Sequence, residues 1–335
     1  MTRSKPSETK LLICVWHPFT LWRAPVEMAE QVRRRWPKIN VVHLPTYERL
    51  EDELADVDIF VGFSLRPEQF LRARKLQWIH STAAGVSQLM YPELRASTVI
   101  VTNISGVHAT PMAEHVLGTL VALARNFPAA VRYQQKRRWA QQEIWDSPLR
   151  PRELAGQVLL IVGFGAIWRE VARHIRPLGM KIWAVTRSGK TDARLAHRSL
   201  PVSRLDEVLH EADFVVLAAP ETPETRHLIG ARQLAAMKPA AFLVNVARGS
   251  LVDEVALAAA LERRAIAGAA LDVAEHEPLP PESPLWGLDN AFITPHISGV
   301  TDHLWERQIA LLMENLKRWF GGRKLLNRVD LKRGY

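Results

Sequence analysis

The segment Val158-Leu-Leu-Ile-Val-Gly-Phe-Gly-Ala-Ile-Trp168 joins an apolar run to a helical pattern that continues to about Leu178. A second apolar run begins at Lys181. This order predicts a strand, a tight turn, a crossover helix and a second, parallel strand, which together form a βαβ unit. Such a unit belongs to a doubly wound α/β sheet.

The turn of this unit carries two glycines of the three that a dinucleotide-binding loop usually has. Gly163 would make the tight turn, and Gly165 would let the backbone approach a pyrophosphate at the helix N-terminus, beside Ala166 and Ile167. The third position holds Trp168, where glycine or alanine is usual. We predict that the loop binds a dinucleotide and that Trp168 turns outward, toward a cleft between domains.

The end of the second strand indicates which dinucleotide is bound. An NAD site usually has Asp or Glu here for the ribose 2′-hydroxyl, but this chain has Thr186, Arg187 and Ser188, with Lys190 nearby. Guanidinium and hydroxyl groups suit a 2′-phosphate. We therefore favour NADP(H) over NAD(H) as cofactor. The alternative is that Arg187 is a solvated loop residue.

Length and composition are those of a soluble protein of about two domains. The chain has 335 residues, of which 47% are hydrophobic and 24% charged. The one cysteine, Cys14, lies in an apolar run too short for a signal-peptide core or a membrane span, so we expect a cytoplasmic location. The net charge of +9 comes without a nucleic-acid motif, and we expect neither nucleic acid nor membrane as a partner.

Apolar runs of strand length alternate with helical patterns along the chain, which predicts parallel sheets. The predicted strands are Leu11–Val15, Val41–Leu44, Ile59–Gly62, Leu76–His80 and Val99–Thr102, then Val158–Val162, Lys181–Val185, Phe214–Leu217, Phe242–Val246, Gly268–Leu271 and Phe292–Thr294.

The helical patterns complete this predicted organisation. One long connecting helix, kinked at Pro128, is predicted from Pro111 to about Arg138, and a final helix from about Asp302 to Phe320. The fold class is α/β with two doubly wound parallel-sheet domains of the Rossmann or flavodoxin-like type. Residues 107–299 would form the dinucleotide-binding domain, inserted in a substrate domain of residues 1–106 and 300–335.

Three residues with chemically useful side chains each follow a predicted strand. Arg248 lies in Asn-Val-Ala-Arg-Gly, Glu277 follows Ala-Leu-Asp-Val, and His296 lies in Ile-Thr-Pro-His. Because ligands bind outside the carboxyl ends of strands in open α/β sheets, these side chains would meet at one edge. A cation, a carboxylate and an imidazole can bind a carboxylate substrate and move a proton. The alternatives are a surface ion pair and an ordinary turn, and we predict no metal site.

The chain resembles the D-isomer-specific 2-hydroxyacid dehydrogenase family over nearly its whole length. The matching segments are 81–86, 101–103, 113–115, the loop at Gly163, 220–229, 245–253, 271–278 and 294–299. The resemblance implies an NAD(P)-binding domain inserted in a smaller substrate domain, with the active site in the cleft between them. It also implies a homodimer held largely by the region after the connecting helix.

The resemblance also implies roles for the three strand-end residues. Arg248 would hold the carboxylate of a 2-oxo acid and polarise its ketone. His296 would give a proton to the carbonyl oxygen, and Glu277 would hydrogen-bond to His296 and favour its protonated form.

Further binding roles follow from the same resemblance. Backbone N–H groups of Ala84, Gly85 and Val86 would bind the substrate carboxylate, and Asp272 would bind the nicotinamide carboxamide. The remaining cofactor contacts are assigned to Ala219 and Pro220, which would wall the site, and to Thr225, Val246 and His296. We interpret His80, His108 and His115 as structural.

Within the family, the Thr-Arg-Ser sequence at 186–188 resembles that of NADPH-dependent glyoxylate and hydroxypyruvate reductases. Glu277 argues against a formate dehydrogenase, and Ala84 against a phosphite dehydrogenase. We expect reduction of a small 2-oxo acid. The alternatives are a cofactor-sensing, corepressor-like binding protein and a dehydrogenase homologue with impaired cofactor binding. Trp139 and Trp145 would either wall the partner's substrate pocket or pack in a dimer interface.

Overall fold

The computed structural model describes residues 5–334, without the side chain of Ala166, as two α/β units. The outer unit comprises the chain up to Val107 and from Thr301 onward, and the inserted unit comprises His108–Val300. The structure thus confirms the predicted architecture of two parallel-sheet units. The boundaries proposed from the sequence lie one residue before those in the structure.

The outer unit is built on a five-stranded parallel sheet with strand order β2-β1-β3-β4-β5. Its strands are β1 Lys10–Cys14, β2 Asn40–Leu44, β3 Ile59–Gly62, β4 Trp78–Ser81 and β5 Ile100–Thr102. The first helices are α1 Val26–Arg35, α2 Leu50–Glu53, α3 Pro67–Arg72 and α4 Pro92–Arg95.

Alternate side chains of β1 enter the cores on the two faces of this sheet. Leu11 and Ile13 belong to one buried cluster, and Leu12 and Cys14 to the other. Cys14 is a fully buried core residue, and burial raises the pKa of its thiol to about 12.

The inserted unit contains a seven-stranded parallel sheet with strand order β12-β11-β10-β9-β6-β7-β8. Its strands are β6 Val158–Val162, β7 Lys181–Thr186, β8 Arg198–Pro201, β9 Phe214–Leu217, β10 Phe242–Asn245, β11 Gly268–Leu271 and β12 Ala291–Ile293. Its helices are α5 Ala109–Ala124, α6 Phe127–Gln135, α7 Gln141–Asp146, α8 Ala166–Ile175, α9 Asp206–Leu209, α10 Ala231–Ala236 and α11 Glu254–Glu262.

The sequence prediction missed β8. This strand lies at the sheet edge and reads Arg-Ser-Leu-Pro, with Leu200 as its one buried residue. It therefore lacks the apolar run by which the inner strands were recognised. Proline within sheets is confined largely to edge strands such as this one.

The prediction of one long connecting helix was wrong. The chain forms two helices, α5 and α6, and Asn126 between them adopts a left-handed conformation with φ of 56°. The Asn126 side chain donates a hydrogen bond to the Leu149 carbonyl at 2.9 Å. Pro128 lies in the first turn of α6, where its missing N–H costs nothing, and so begins a helix instead of kinking one.

The last helix, α12 Leu304–Phe320, returns to the outer unit. Ile309, Leu312 and Leu316 on its inner face share a core cluster with Leu11 and Ile13 of β1. This confirms the prediction that the final helix packs on the first domain. Within residues 5–334, no helix combines the length and the hydropathy needed to cross a bilayer.

Candidate active site

The strand order of the inserted sheet reverses between β6 and β9. Strands β6, β7 and β8 follow one another toward one edge of the sheet, and β9 to β12 follow one another toward the other edge. Open α/β sheets bind ligands at such a switch point, outside the carboxyl ends of the strands. Gly163 follows β6 at this point with φ of 94°. A Cβ on Gly163 would lie 2.6 Å from the Ala219 nitrogen, so both the backbone conformation and the neighbouring loop require glycine.

Gly165 is a glycine for a different reason. Its φ of −83° is open to any residue, and a Cβ placed on it would meet no atom within 4 Å. The described chain therefore leaves open space just before α8, which begins at Ala166 and continues through the half-buried Ile167. An open approach to a helix N-terminus fits a pyrophosphate group, which such an end attracts by its exposed N–H groups and dipole.

Trp168 does not turn outward as the sequence led us to expect. Its side chain is 3% exposed and belongs to the core cluster that contains Ala113, Val116 and Leu120 of α5. The apolar surface of α5 offers the large ring a buried site, so the indole stabilises the packing of two helices and is not directed toward a cleft. The open space before α8 is unaffected.

The end of β7 carries the residues proposed to distinguish the two cofactors. Thr186 ends the strand and its hydroxyl donates to the Lys190 carbonyl at 3.4 Å. Arg187 and Ser188 follow and are exposed. No acidic side chain occupies the strand end, and the exposed cation there fits an added phosphate on the ribose.

On the other side of the switch point, Ala219 and Pro220 lie in the loop after β9. The Thr225 hydroxyl donates to the Pro220 carbonyl at 2.8 Å and accepts from the Thr222 N–H at 2.8 Å. Thr225 therefore stabilises this loop internally. Val246, directly after β10, is a core residue with a side chain only 3% exposed, which leaves its backbone as the part that could face a ligand.

Arg248, Glu277 and His296 follow three neighbouring strands, β10, β11 and β12, and their side chains are all exposed. The His296 Nδ1 lies 2.6 Å from the Glu277 Oε2. Asn245 fixes the turn before Arg248, because its side chain donates to the Arg248 carbonyl at 2.8 Å and accepts from the Ala247 N–H at 3.1 Å. The structure thus brings together the imidazole and carboxylate predicted from the sequence.

Glu277 lies in an electrostatic environment that favours its charged form. Partial burial alone would raise the pKa of this carboxyl, but the hydrogen bond from His296, the His296 charge, the Ala274 N–H and the Arg248 charge together hold the pKa below its ordinary value. The Ala274 N–H donates to Glu277 Oε1 at 3.1 Å. The effect of Arg248 on this pKa ties the third residue to the pair.

Gly249 connects the arginine to the glutamate loop. A Cβ on Gly249 would lie 1.9 Å from the Ala274 carbonyl carbon, so the two segments touch through their backbones. The Glu254 carboxylate also accepts a hydrogen bond from the Glu275 N–H. These contacts fix the loop that carries Glu277 against the turn that carries Arg248. No role was predicted from the sequence for Gly249 or Glu254.

Asp272 does not lie on an open binding surface. Its side chain is fully buried, and its two carboxylate oxygens accept hydrogen bonds from the Thr294 hydroxyl and from the N–H groups of Ile297 and Ser298. These groups flank His296 on both sides. The observed bonds stabilise the histidine turn, and contact with a nicotinamide carboxamide stays a prediction.

Ala84, Gly85 and Val86 lie in the outer unit, after the carboxyl end of β4. The Asn103 side chain donates to the Ala84 carbonyl at 2.7 Å and holds this loop. Within residues 5–334, the three N–H groups make no hydrogen bond, so they are available to an anion. Among the same described residues there is no group of three or more His, Cys, Asp or Glu side chains that could hold a metal ion.

Residues 117–298 match the model of the D-isomer specific 2-hydroxyacid dehydrogenase, NAD binding domain. The chain belongs to this family. Its members are oxidoreductases that act on CH–OH groups, and the inserted unit is accordingly an NAD-binding domain. Glyoxylate reductase of Pyrococcus furiosus is 36% identical over 276 residues, which cover 80% of this chain and 81% of the relative.

Solved structures of the family show the same fold. A D-isomer specific 2-hydroxyacid dehydrogenase from Xanthobacter autotrophicus, solved with NADPH and MES, has a TM-score of 0.82 and 29% identity over 98% of this chain and all of its own. An NADPH-dependent glyoxylate/hydroxypyruvate reductase of Sinorhizobium meliloti has a TM-score of 0.81 and 24% identity over 98% of this chain and all of its own, which supports the fold alone.

Proposed function

We propose that the protein is an NADP(H)-preferring dehydrogenase that reduces a small 2-oxo acid of the glyoxylate or hydroxypyruvate type to the D-2-hydroxy acid. The observation that carries this proposal is the contact of 2.6 Å between His296 Nδ1 and Glu277 Oε2, at the edge that also holds Arg248. A paired imidazole next to a guanidinium suits proton transfer to a carbonyl whose neighbouring carboxylate is bound.

In the proposed reaction, Arg248 binds the substrate carboxylate and polarises the ketone oxygen. The nicotinamide, when bound, supplies the hydride that adds to the carbonyl carbon. Glu277 accepts the hydrogen bond from Nδ1, which orients the ring and leaves Nε2 for the substrate. His296 then gives its proton to the carbonyl oxygen, so that hydride and proton together convert the ketone to an alcohol.

We propose an anion-binding role for the loop after β4 in the outer unit. The unbonded N–H groups of Ala84, Gly85 and Val86 would hold the carboxylate without a side chain, as successive backbone N–H groups do in other anion sites.

The proposed cofactor site uses the switch point of the inserted sheet. Gly163, Gly165, Ala166 and Ile167 would hold the pyrophosphate, and Thr186, Arg187 and Ser188 would hold the 2′-phosphate. Ala219, Pro220, Thr225, Val246, Asp272 and His296 would face the rest of the cofactor. The missing acid at the end of β7 supports NADP(H), as does the NADPH bound to the Xanthobacter relative.

We also propose a homodimer formed through the segment from α6 to residue 150. Phe127, Val131 and Trp145 are 49–54% exposed, and Trp139 is 93% exposed, which is unusual for side chains of this size. A second copy would cover them, and Trp139 and Trp145 could then either pack in the interface or wall the partner's substrate pocket. Light scattering of the purified protein should give twice the chain mass of 37.9 kDa; a single-chain mass would exclude the dimer.

The function is tested by following NADPH and NADH oxidation side by side with glyoxylate, hydroxypyruvate, pyruvate and phenylpyruvate. We expect turnover with NADPH to exceed that with NADH, and Arg187→Ala to remove this preference by weakening NADPH alone. If no turnover occurs but nucleotide binds, a corepressor-like binding protein becomes the better account. If no nucleotide binds either, the chain is a dehydrogenase homologue that has lost its cofactor.

A further inference from the structure

The turn that carries His296 has a backbone that needs support. His296 has φ of 53°, in the left-handed region that non-glycine residues rarely adopt, and it follows Pro295. Such a conformation is strained and persists only where the surroundings hold it. The His296 N–H donates to the Asp272 carbonyl at 2.8 Å, which supplies part of this support.

The Asp272 side chain supplies the rest. Its Oδ1 accepts the Thr294 hydroxyl at 2.6 Å and the Ile297 N–H at 2.9 Å, while its Oδ2 accepts the Ser298 N–H at 2.9 Å. One fully buried carboxylate is thus bonded to residues before and after His296. A buried charge with all its partners in one turn makes that turn costly to distort.

His115, from α5, is the outer member of this network. Its Nε2 lies 3.4 Å from the Thr294 Oγ1 and 4.0 Å from the Asp272 Oδ1, and its side chain is 18% exposed. Because the Thr294 hydroxyl has one proton and gives it to Asp272, its oxygen can only accept from His115. The His115 Nε2 therefore carries a proton.

Burial lowers the pKa of His115, although the Asp272 charge opposes this effect. The imidazole is therefore a neutral donor at neutral pH, with its proton directed at Thr294. The order of donors is fixed along the network: His115 donates to Thr294, and Thr294 donates to Asp272. From the sequence, His115 was predicted to be structural only, and no role was predicted for Thr294.

We propose that Thr294 and His115 are positioning residues, which act through Asp272 to hold the turn 294–298 in the conformation that presents His296. This inference rests on the proposed role of His296 as the proton donor. Neither residue touches the reacting atoms in this scheme. Their removal should therefore leave the binding of substrate and cofactor nearly intact and slow the chemical step.

The test compares Thr294→Val, which removes the hydroxyl, with Thr294→Ser, which keeps it. We expect Thr294→Val to lower kcat about tenfold to a hundredfold with little change in the KM for NADPH or the 2-oxo acid, because small misplacements of a reacting group have effects of this size. Thr294→Ser should restore most of the rate. Equal kcat values in the two variants would overturn the proposal.

A second arm tests the outer member of the network and covers the case in which Thr294→Val does not fold. His115→Gln keeps an N–H donor on a flexible side chain, whereas His115→Phe keeps the ring volume without a donor. We expect kcat to be higher in the glutamine variant. Equal rates in these two variants would remove His115 from the proposal.

A matched control separates positioning from general stability. The buried Thr102 hydroxyl of the outer unit bonds to the Trp78 Nε1 and the His80 Nδ1, each at 2.8 Å. Thr102→Val should lower thermal stability and leave kcat unchanged. If it lowers kcat as much as Thr294→Val does, the loss reflects stability alone and the proposal is wrong.

Amide hydrogen exchange provides a readout that does not depend on activity. The N–H groups of Ile297 and Ser298 should exchange faster in Thr294→Val than in Thr294→Ser. If the wild-type protein shows no turnover, the proposed function fails, and the exchange rates still test the network. Unchanged exchange in Thr294→Val would overturn the positioning role whatever the activity.

Discussion

His296 is held in two ways, through its ring by Glu277 and through its backbone by Asp272. The first contact orients the imidazole, and the second stabilises a left-handed backbone that histidine rarely adopts. Two acidic side chains at the end of the same strand thus serve different purposes. The exposed one orients the imidazole, and the buried one fixes the turn.

The pKa of Glu277 gives a prediction about stability and pH. Because its folded-state pKa lies below the ordinary value, its charge stabilises the fold fully above the unfolded-state pKa of about 4.3, and this contribution is lost as the pH falls through the lower folded value. The difference in melting temperature between wild type and Glu277→Gln should therefore shrink as the pH falls below about pH 4.

Glu282→Gln is the control for this measurement, because Glu282 is exposed in the neighbouring loop. Its melting temperature should differ little from that of the wild type at every pH. A wild-type advantage over Glu277→Gln that does not change with pH would show that the Glu277 charge contributes nothing to the fold.

At the scale of elements, the turn between β6 and α8 contains two glycines, Gly163 and Gly165, that are needed for different reasons. Gly163→Ala should destabilise the protein by about 1–3 kcal/mol or more, because φ of 94° is strained for alanine and the Cβ meets the Ala219 backbone. Gly165→Ala should change the free energy of unfolding by less than about 0.5 kcal/mol, because its Cβ enters open space.

For cofactor binding, we expect the variant that is harmless to stability, Gly165→Ala, to be the harmful one. Where Gly165→Ala folds normally, its methyl group occupies the open approach to α8, and the NADPH dissociation constant should rise about tenfold or more. Chemical denaturation and a fluorescence titration measure the two effects. A Gly165→Ala variant that binds NADPH as the wild type does would mean that no phosphate approaches this turn.

Trp168 shows that the loop pattern alone does not predict how a side chain of α8 packs. In the sequence, a tryptophan at the third position of the loop looks like an obstacle to close packing, and we expected it to turn away. The structure buries it against α5, some fifty residues earlier in the chain. The position of the indole depends on the small and medium side chains of α5, which cannot be predicted from the sequence of the loop.

For the whole molecule, the sequence predicted both sheets and most of their strands, because inner strands of parallel sheets are continuous apolar runs. It missed β8, whose edge position removes that signal, and it merged α5 with α6, because the break depends on the Asn126 side chain bonding to Leu149. Patterns of burial were predictable, whereas features that depend on single tertiary hydrogen bonds were not.

The same distinction between sequence patterns and tertiary hydrogen bonds applies to the candidate site. Arg248, Glu277 and His296 were predicted because strand ends can be recognised in the sequence, and the structure places the last two in contact. The buried network of Asp272, Thr294 and His115 was not found, because His115 lies far away in the chain and only folding brings it to β12. The Thr-Pro-His segment pointed to His296 and gave no indication of what holds it.

The central claim is that His296 supplies the proton for reduction of a 2-oxo acid. It is tested most directly by measuring turnover and NADPH affinity in His296→Ala, with the exposed His210→Ala as control. We predict a loss of about 10²–10⁴-fold in turnover, with NADPH affinity nearly intact and the control unchanged. Turnover close to that of the wild type, or a parallel loss of NADPH binding, would contradict the account.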